Sequence, residues 1–332
     1  MTMQALQVVR HGTPSEALEL REVDVPTPGA GEVLVRVHAT ALNFPDVLLA
    51  AGRYQVRPEL PFTLGIETCG TVVAAGDNEG EGMVGRRVVG MSSLPHGALA
   101  RYAIAPAGMV FEAPVGLDDA EAASFYVAYQ TGWFGLHHRA RLREGETLLV
   151  HAAAGGVGSA AVQLGKAAGA RVVAVVGGET KVEVARRLGA DDVVDRTRGD
   201  LVGSLKAVIG PGGADVVYDP VGGESFAAST KVVAFDGRIV VVGFTSGEFA
   251  QAATNHLLVK GYGVLGLHWG RYQELAPELV RHAHAELSAL ADSGAVRPLV
   301  SRRLALADAV DGLTDLAAGR TTGRVVIAVG DG

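Results

Sequence analysis

The chain has 332 residues, 48% hydrophobic and 20% charged, with a formal net charge of −7. That length suits two domains, and without a long Lys or Arg run it offers no basic patch for nucleic acid or an anionic membrane surface. Its one cysteine, Cys69, excludes an internal disulfide and a cysteine-rich zinc site.

Met1 to Arg10 alternates like a strand and lacks the apolar stretch of a signal peptide. No apolar run of about 20 residues is present to span a bilayer. No membrane partner and a cytoplasmic location are therefore expected. Glu32 to Ala41 alternates strictly, with Val33, Val35 and Val37 on one face. Leu64 to Ala75 and Gly85 to Met91 read as further strands, set off by Pro- and Gly-bearing turns. The chain to about Pro114 is thus mostly β. Asp118 opens a helix, with Glu121 as its capping-box partner, expected to run to about Arg141. Strands are then expected from Thr147 to Ala152, Arg171 to Val176, Asp192 to Asp195, Asp215 to Tyr218, Arg238 to Gly243 and Gly263 to Leu267. Helices are expected from Gly158 to Ala168 and from Glu179 to Leu188. This alternation predicts a parallel, doubly wound sheet. One long helix from Tyr272 to Ser293 follows, then a strand near 298–302, a helix near 305–318 and a last strand from Arg324. This tail is too small to fold alone and is expected to complete the first domain. The expected division is 1–122, 123–267 and 268–332.

The strongest local signal is His151-Ala-Ala-Ala-Gly-Gly-Val-Gly158, between a strand and a helix. Small residues here allow a tight turn, close approach of the backbone to a pyrophosphate, and close packing of helix on strand. The helix start then offers its N–H groups to the anion. Ala153 stands where the usual fingerprint has its first Gly, and a Gly-rich turn without a nucleotide is the alternative. The next strand ends Val175-Val176-Gly177-Gly178. No Asp or Glu stands there to hold a ribose 2′-hydroxyl, as an NAD site requires. Lys181 and Arg196 lie where a 2′-phosphate would sit, which favours NADP. Glu179 could still reach a ribose, and both cations could be solvated surface charge.

These residues, with Asn43-Phe-Pro-Asp46, Gly52-Arg-Tyr54, Leu60 to Glu67, Leu188-Gly-Ala-Asp191, Asp219-Pro-Val-Gly-Gly223, Val242-Gly-Phe-Thr245, Asn255 to Gly270 and Gly323-Arg-Val-Val326, resemble the zinc-free quinone oxidoreductase (zeta-crystallin-like) branch of the medium-chain dehydrogenase/reductase superfamily. The resemblance spans nearly the whole chain. It implies an α/β fold: a GroES-like, mostly β catalytic domain from both chain ends, and a Rossmann domain between them. It further implies NADPH with its nicotinamide in the cleft, and a homodimer joined near Gly261 to Leu267. By the same resemblance, Tyr54 is a cofactor and substrate-cleft tyrosine, and Thr131 faces the nicotinamide carboxamide. Ala154, Gly155, Gly156 and Val157 form the pyrophosphate turn. Gly177, Lys181 and Arg196 form the adenosine-phosphate end. Gly243, Phe244, Thr245 and Ser246 lie beside the nicotinamide, as do Leu267, His268 and Trp269. Zinc-dependent members carry Cys where this chain has Asn43, and His where it has Ile66, so no metal is expected.

Without zinc, negative charge developing on a substrate oxygen needs hydrogen-bond donors. Asn43 and Tyr54 are the candidates, with Asp46 expected to orient Asn43 or a loop. The plainer readings are a strand-end Asn43, a helix-capping Asp46, a Tyr54 packed in a wall, and a Glu67 paired with a nearby cation. The expected activity is reduction of a small quinone or other conjugated carbonyl compound by NADPH. The alternatives are an enoyl-thioester reductase and a weakly catalytic, nucleotide-binding regulatory protein.

Overall fold

The computed structural model describes residues 1–330, the side chains of 78 and 79 excepted. The chain forms two compact units: Met1–Val127 with the chain from Arg297 onward, and Ala128–Val296.

In the first unit the strand Glu32–Ala41 is the hub. It pairs antiparallel with Glu67–Ala75, Tyr102–Pro106 and Arg324–Ala328. The sheet continues from Glu67–Ala75 to Arg87–Met91 and then to Val110–Glu112. Val33, Val35 and Val37 are all buried, as their alternation demands. A smaller sheet joins Leu18–Asp24, Thr2–Val8 and Phe62–Thr63. Leu6, Leu49, Phe62, Leu64, Leu99 and Ile327 pack into one core between them. Each such side chain contributes about 1.5–3 kcal/mol when fully buried. The end of the chain is structural here, since Val326 lies opposite Ala41.

The second unit holds six parallel strands among the described residues. They are β1 (Thr147–Val150), β2 (Arg171–Val176), β3 (Asp192–Asp195), β4 (Ala214–Asp219), β5 (Val233–Val241) and β6 (Gly263–Gly266). Their spatial order is β3-β2-β1-β4-β5-β6. Val172 to Val176 are buried without alternation, as strands covered on both faces require. Helix α1 (Gly156–Ala167) follows β1, and α2 (Glu179–Arg187) follows β2. The strand order reverses between β1 and β4, and such reversals open a crevice beyond the strands' carboxyl ends.

The structure differs from the sequence reading in several places. The helix expected from Asp118 to about Arg141 is three pieces, Asp119–Ala123, Tyr126–Trp133 and the π-helix Phe134–Arg139. Helices Leu201–Ile209, Gly223–Val232 and Thr254–Lys260 supply crossovers that the reading left unassigned; parallel neighbours require such connections. β5 begins at Val233, not Arg238, with a register shift opposite Ala214 and Val216. The long helix after Tyr272 is two helices, Gly270–Leu275 and Pro277–Asp292, broken at Ala276 (φ −148, ψ 56). Proline disfavours helical backbone in the residue before it. Finally, the second unit extends to Val296 rather than 267. Helix Pro277–Asp292 is held to Tyr126–Trp133 by Gln130 Nε2 donating to Val280 O (3.2 Å) and Trp133 Nε1 to Glu286 Oε2 (2.7 Å). Among the described residues no helix is long and apolar enough to cross a membrane.

Candidate active site

The turn from His151 to Gly155 joins β1 to α1. Ala152 takes a positive φ of 49°, and Gly155 N–H donates to Ala152 O at 2.8 Å. Ala153 N–H donates to Val175 O (3.1 Å), tying the turn to β2. Gly158 has to be glycine: a Cβ there would overlap Ala152 O and stand 2.8 Å from Ala152 C. That close approach seats α1 on the turn. Gly156, Val157 and Gly158 open α1, so their N–H groups have no acceptor one turn back. Three unpaired amides and the positive end of the helix dipole form an anion cradle. The cradle fits the diphosphate of a dinucleotide, and Ala154 to Val157 line it.

At the ends of β2 and β3 the structure gathers Gly177, Lys181 and Arg196. The Arg196 guanidinium lies over Gly177, its Nε 3.3 Å from where a Cβ would stand. Burial, the larger effect, lowers the Lys181 pKa, and the nearby Arg196 charge lowers it further. Glu179 is turned to an ion pair with Arg198. Asp195, which sequence reasoning missed, fixes this corner. Its Oδ1 accepts from Gly178 N (2.9 Å), Thr197 N (3.0 Å) and Thr197 Oγ1 (2.7 Å). Those bonds, Gly178 N–H first, hold its pKa down at about 2. An Asp ending a strand and followed by Arg-Thr is an Asx-turn pattern that could have signalled it.

The remaining cofactor candidates, Tyr54 apart, lie in the same unit. Gly243, Phe244 and Thr245 follow β5, and Thr245 N–H donates to Pro220 O (3.1 Å). Leu267, His268 and Trp269 follow β6, with Leu267 N–H donating to Val241 O (3.0 Å). His268 is exposed and Trp269 half-buried. Thr131 is buried on Tyr126–Trp133.

The candidates for chemistry lie in the first unit. Asn43 and Asp46 open the helix Phe44–Ala50, and Asn43 N–H donates to Asp46 Oδ2 (2.8 Å). The Asn43 amide donates to Ala41 O and to Glu67 Oε2, both at 3.0 Å. Both partners are acceptors, so the amide orientation is set and both its protons are committed. The sequence reading expected Asn43 to donate to a substrate; in this structure neither amide proton is left for one. Asp46 is buried and Oδ1 has no partner. Burial pushes its carboxyl up to about 7, against the pull of the Asn43 N–H and Arg324. Tyr54 is half-buried, and its phenol is pushed up by burial and then by Asp46, so it keeps its proton at neutral pH. Of the three, Tyr54 is the one whose O–H is not fully buried; Asp46 is 0% exposed.

Glu67 forms a buried ion pair with Arg324 and accepts from Val127 N–H (2.7 Å). A catalytic zinc needs three protein ligands. Here both amide protons of Asn43 are engaged and its side chain caps the helix Phe44–Ala50, Ile66 is apolar, and both Glu67 oxygens are engaged. These residues do not fit zinc, and among the described residues no group of three His, Cys, Asp or Glu is placed to hold a metal ion.

Comparison with known proteins identifies the family. Residues 29–115 match the family model described as alcohol dehydrogenase GroES-like domain, and residues 156–285 match that described as zinc-binding dehydrogenase. Quinone oxidoreductase-like protein 2 of Mus musculus is 34% identical over 315 residues, covering 95% of this chain and 89% of its own. A solved mycobacterial protein complexed with NADPH superimposes with a TM-score of 0.90 at 32% identity, covering 98% of this chain and 100% of that one. The quinone oxidoreductase of Pseudomonas syringae pv. Tomato superimposes with a TM-score of 0.89 at 30% identity, with the same coverage. The chain therefore belongs to the zinc-free quinone oxidoreductase branch of the medium-chain dehydrogenase/reductase superfamily of enzymes.

Proposed function

We propose that the chain is an NADPH-dependent, zinc-independent reductase of quinones or other conjugated carbonyl compounds. The observation that carries the reading is the Arg196 guanidinium over Gly177 with Lys181 beside it, while Glu179 is drawn off by Arg198. Two cations at the end of β2, where an NAD site needs a carboxylate, suit a 2′-phosphate. The NADPH held by the mycobacterial neighbour and the names of the relatives support the same reading.

Bound NADPH supplies the hydride. The turn and the start of α1 bind its diphosphate through Ala154, Gly155, Gly156 and Val157. Arg196 and Lys181 bind the 2′-phosphate, with Gly177 leaving it room. Thr131, Gly243 to Thr245 and Leu267 to Trp269 orient the nicotinamide end. Tyr54 donates its O–H to the substrate oxygen on which charge develops. Asn43 and Asp46 hold the loop that leads to Tyr54. A homodimer through the edge strand β6 and a cytoplasmic location belong to the same reading.

The test is NADPH and NADH oxidation with panels of quinones and of enoyl thioesters, in the presence of a zinc chelator. We expect quinone turnover that favours NADPH and survives the chelator. Turnover confined to enoyl thioesters overturns the substrate assignment. Nucleotide binding without turnover of either panel points to a regulatory role.

A further inference from the structure

Three helices of the second unit carry a lysine in their last turn: Lys206 on Leu201–Ile209, Lys231 on Gly223–Val232 and Lys260 on Thr254–Lys260. All three lysines line one cavity of about 430 Å³. The loop Gly210 to Gly213, the start of β5 and Phe235 complete the lining. Gly213 takes a positive φ of 80°, and a Cβ there would stand 2.7 Å from Ala234 N and 2.9 Å from Val232 O. The loop therefore packs directly on β5, which only glycine permits. The cavity lies where β4 and β5 begin. The nucleotide crevice lies beyond the opposite, carboxyl ends of the strands, and β4 is six residues long, so the two are about 20 Å apart.

A lysine at a helix end ordinarily offsets the negative end of the helix dipole, and Lys260 Nζ does so by donating to Thr230 O (3.0 Å). That role leaves charge over. Three helix ends supply about half a negative charge each against three whole positive charges, an excess of about 1.5. No carboxylate offsets it, since among the described residues none of the three lysines forms an ion pair. The charges that act on Lys260 are the other two amines: burial first, then Lys231, then Lys206, lower its pKa. An anion in the cavity would relieve that repulsion.

A phosphate monoester carries a charge of about −1.5 to −2 at neutral pH, which matches the excess. Lysines bind such a group as point charges. Beside them stands Phe235, 81% exposed, its ring lying over Gly261, where a Cβ would come within 2.6 Å of ring Cε2. An exposed aromatic ring next to cations suits a ligand with a flat ring of its own. We propose that this cavity is a second ligand site, which binds a phosphate monoester bearing a flat ring. Lys206, Lys231 and Lys260 hold the phosphate, and Phe235 packs against the ring. The site is separate from the nucleotide crevice and does not rest on the reading given for it.

Isothermal titration of the full chain tests it, with uridine monophosphate, ribose phosphate and uridine as probes, each with and without saturating NADPH. Uridine monophosphate should bind in both conditions, and ribose phosphate and uridine at least about tenfold more weakly. Lys206 and Lys231 are exposed, so Lys206→Gln with Lys231→Gln leaves the Lys260 bond in place. That double variant should weaken uridine monophosphate at least about tenfold and leave the NADPH Kd within about twofold. Phe235→Ala should reduce uridine monophosphate to the affinity of ribose phosphate. No binding by wild type at about millimolar concentration, displacement by NADPH, or unchanged binding in the double variant overturns the site. Equal affinity of wild type for uridine monophosphate and ribose phosphate overturns the part given to Phe235.

Discussion

At the scale of the residue, the first unit is governed by buried charge. Burial pushes the Asp46 carboxyl up to about 7 from its ordinary 3.8. A folded state that keeps its proton to higher pH gains stability at the acid end. That contribution is complete below about pH 4 and is lost as pH rises through about 7. Asp46→Asn removes it. Denaturant unfolding at a series of pH values should therefore show wild type losing stability relative to the variant between about pH 4 and 7. A constant difference would mean that Asp46 ionises freely. Arg324 carries the second prediction. Arg324→Met strands the buried Glu67 carboxylate, at a cost of about 3–5 kcal/mol in unfolding free energy. Adding Glu67→Gln should recover most of that loss; no recovery would show that Arg324 matters for packing alone. The sequence suggested that Glu67 meets a cation, but not which one. Arg324 is 257 positions away, and only the pairing of Arg324–Ala328 with Glu32–Ala41 brings it near. The commitment of both Asn43 protons was equally illegible, since one of them goes to Glu67 on the neighbouring strand.

At the scale of the element, the turn into α1 was legible because its determinants are local. Small residues between a strand and a helix at that spacing leave few other conformations. Its stringency was not, because the closeness of Gly158 to Ala152 is a fact of packing. Gly158→Ala should destabilise the protein by about 1–3 kcal/mol, as overpacking does. It should also weaken NADPH at least about tenfold, measured by fluorescence titration. Unchanged affinity would remove the turn from the nucleotide site. The corner at Gly177 shows the same division. The absence of an acid after β2 could be read directly, whereas the hold of Asp195 on Gly178 requires β3 beside β2. The helix after Tyr272 was read as unbroken because apolar periodicity outweighed Pro277.

At the scale of the whole molecule, the chain leaves the first unit, forms the second, and returns. The return point was hard to read, because helix Pro277–Asp292 has an amphipathic pattern that would serve either unit. Gln130 and Trp133 decide the matter by binding it to the second. The second unit is continuous in sequence and has its own core around Leu149, Val173, Val217 and Ile239. A fragment of residues 128–296 should therefore melt cooperatively by circular dichroism. Residues 1–127 alone should not, lacking the last strand and Arg324. A cooperative melt of that fragment would contradict the part assigned to the chain's end.

The most direct test of the central claim is equilibrium binding of NADPH and NADH to wild-type protein and to Arg196→Ala. Wild type should bind NADPH at least about tenfold more tightly than NADH. The variant should lose that preference by weakening NADPH alone. Equal affinity of wild type for both nucleotides, or an equal loss of both in the variant, would contradict the account.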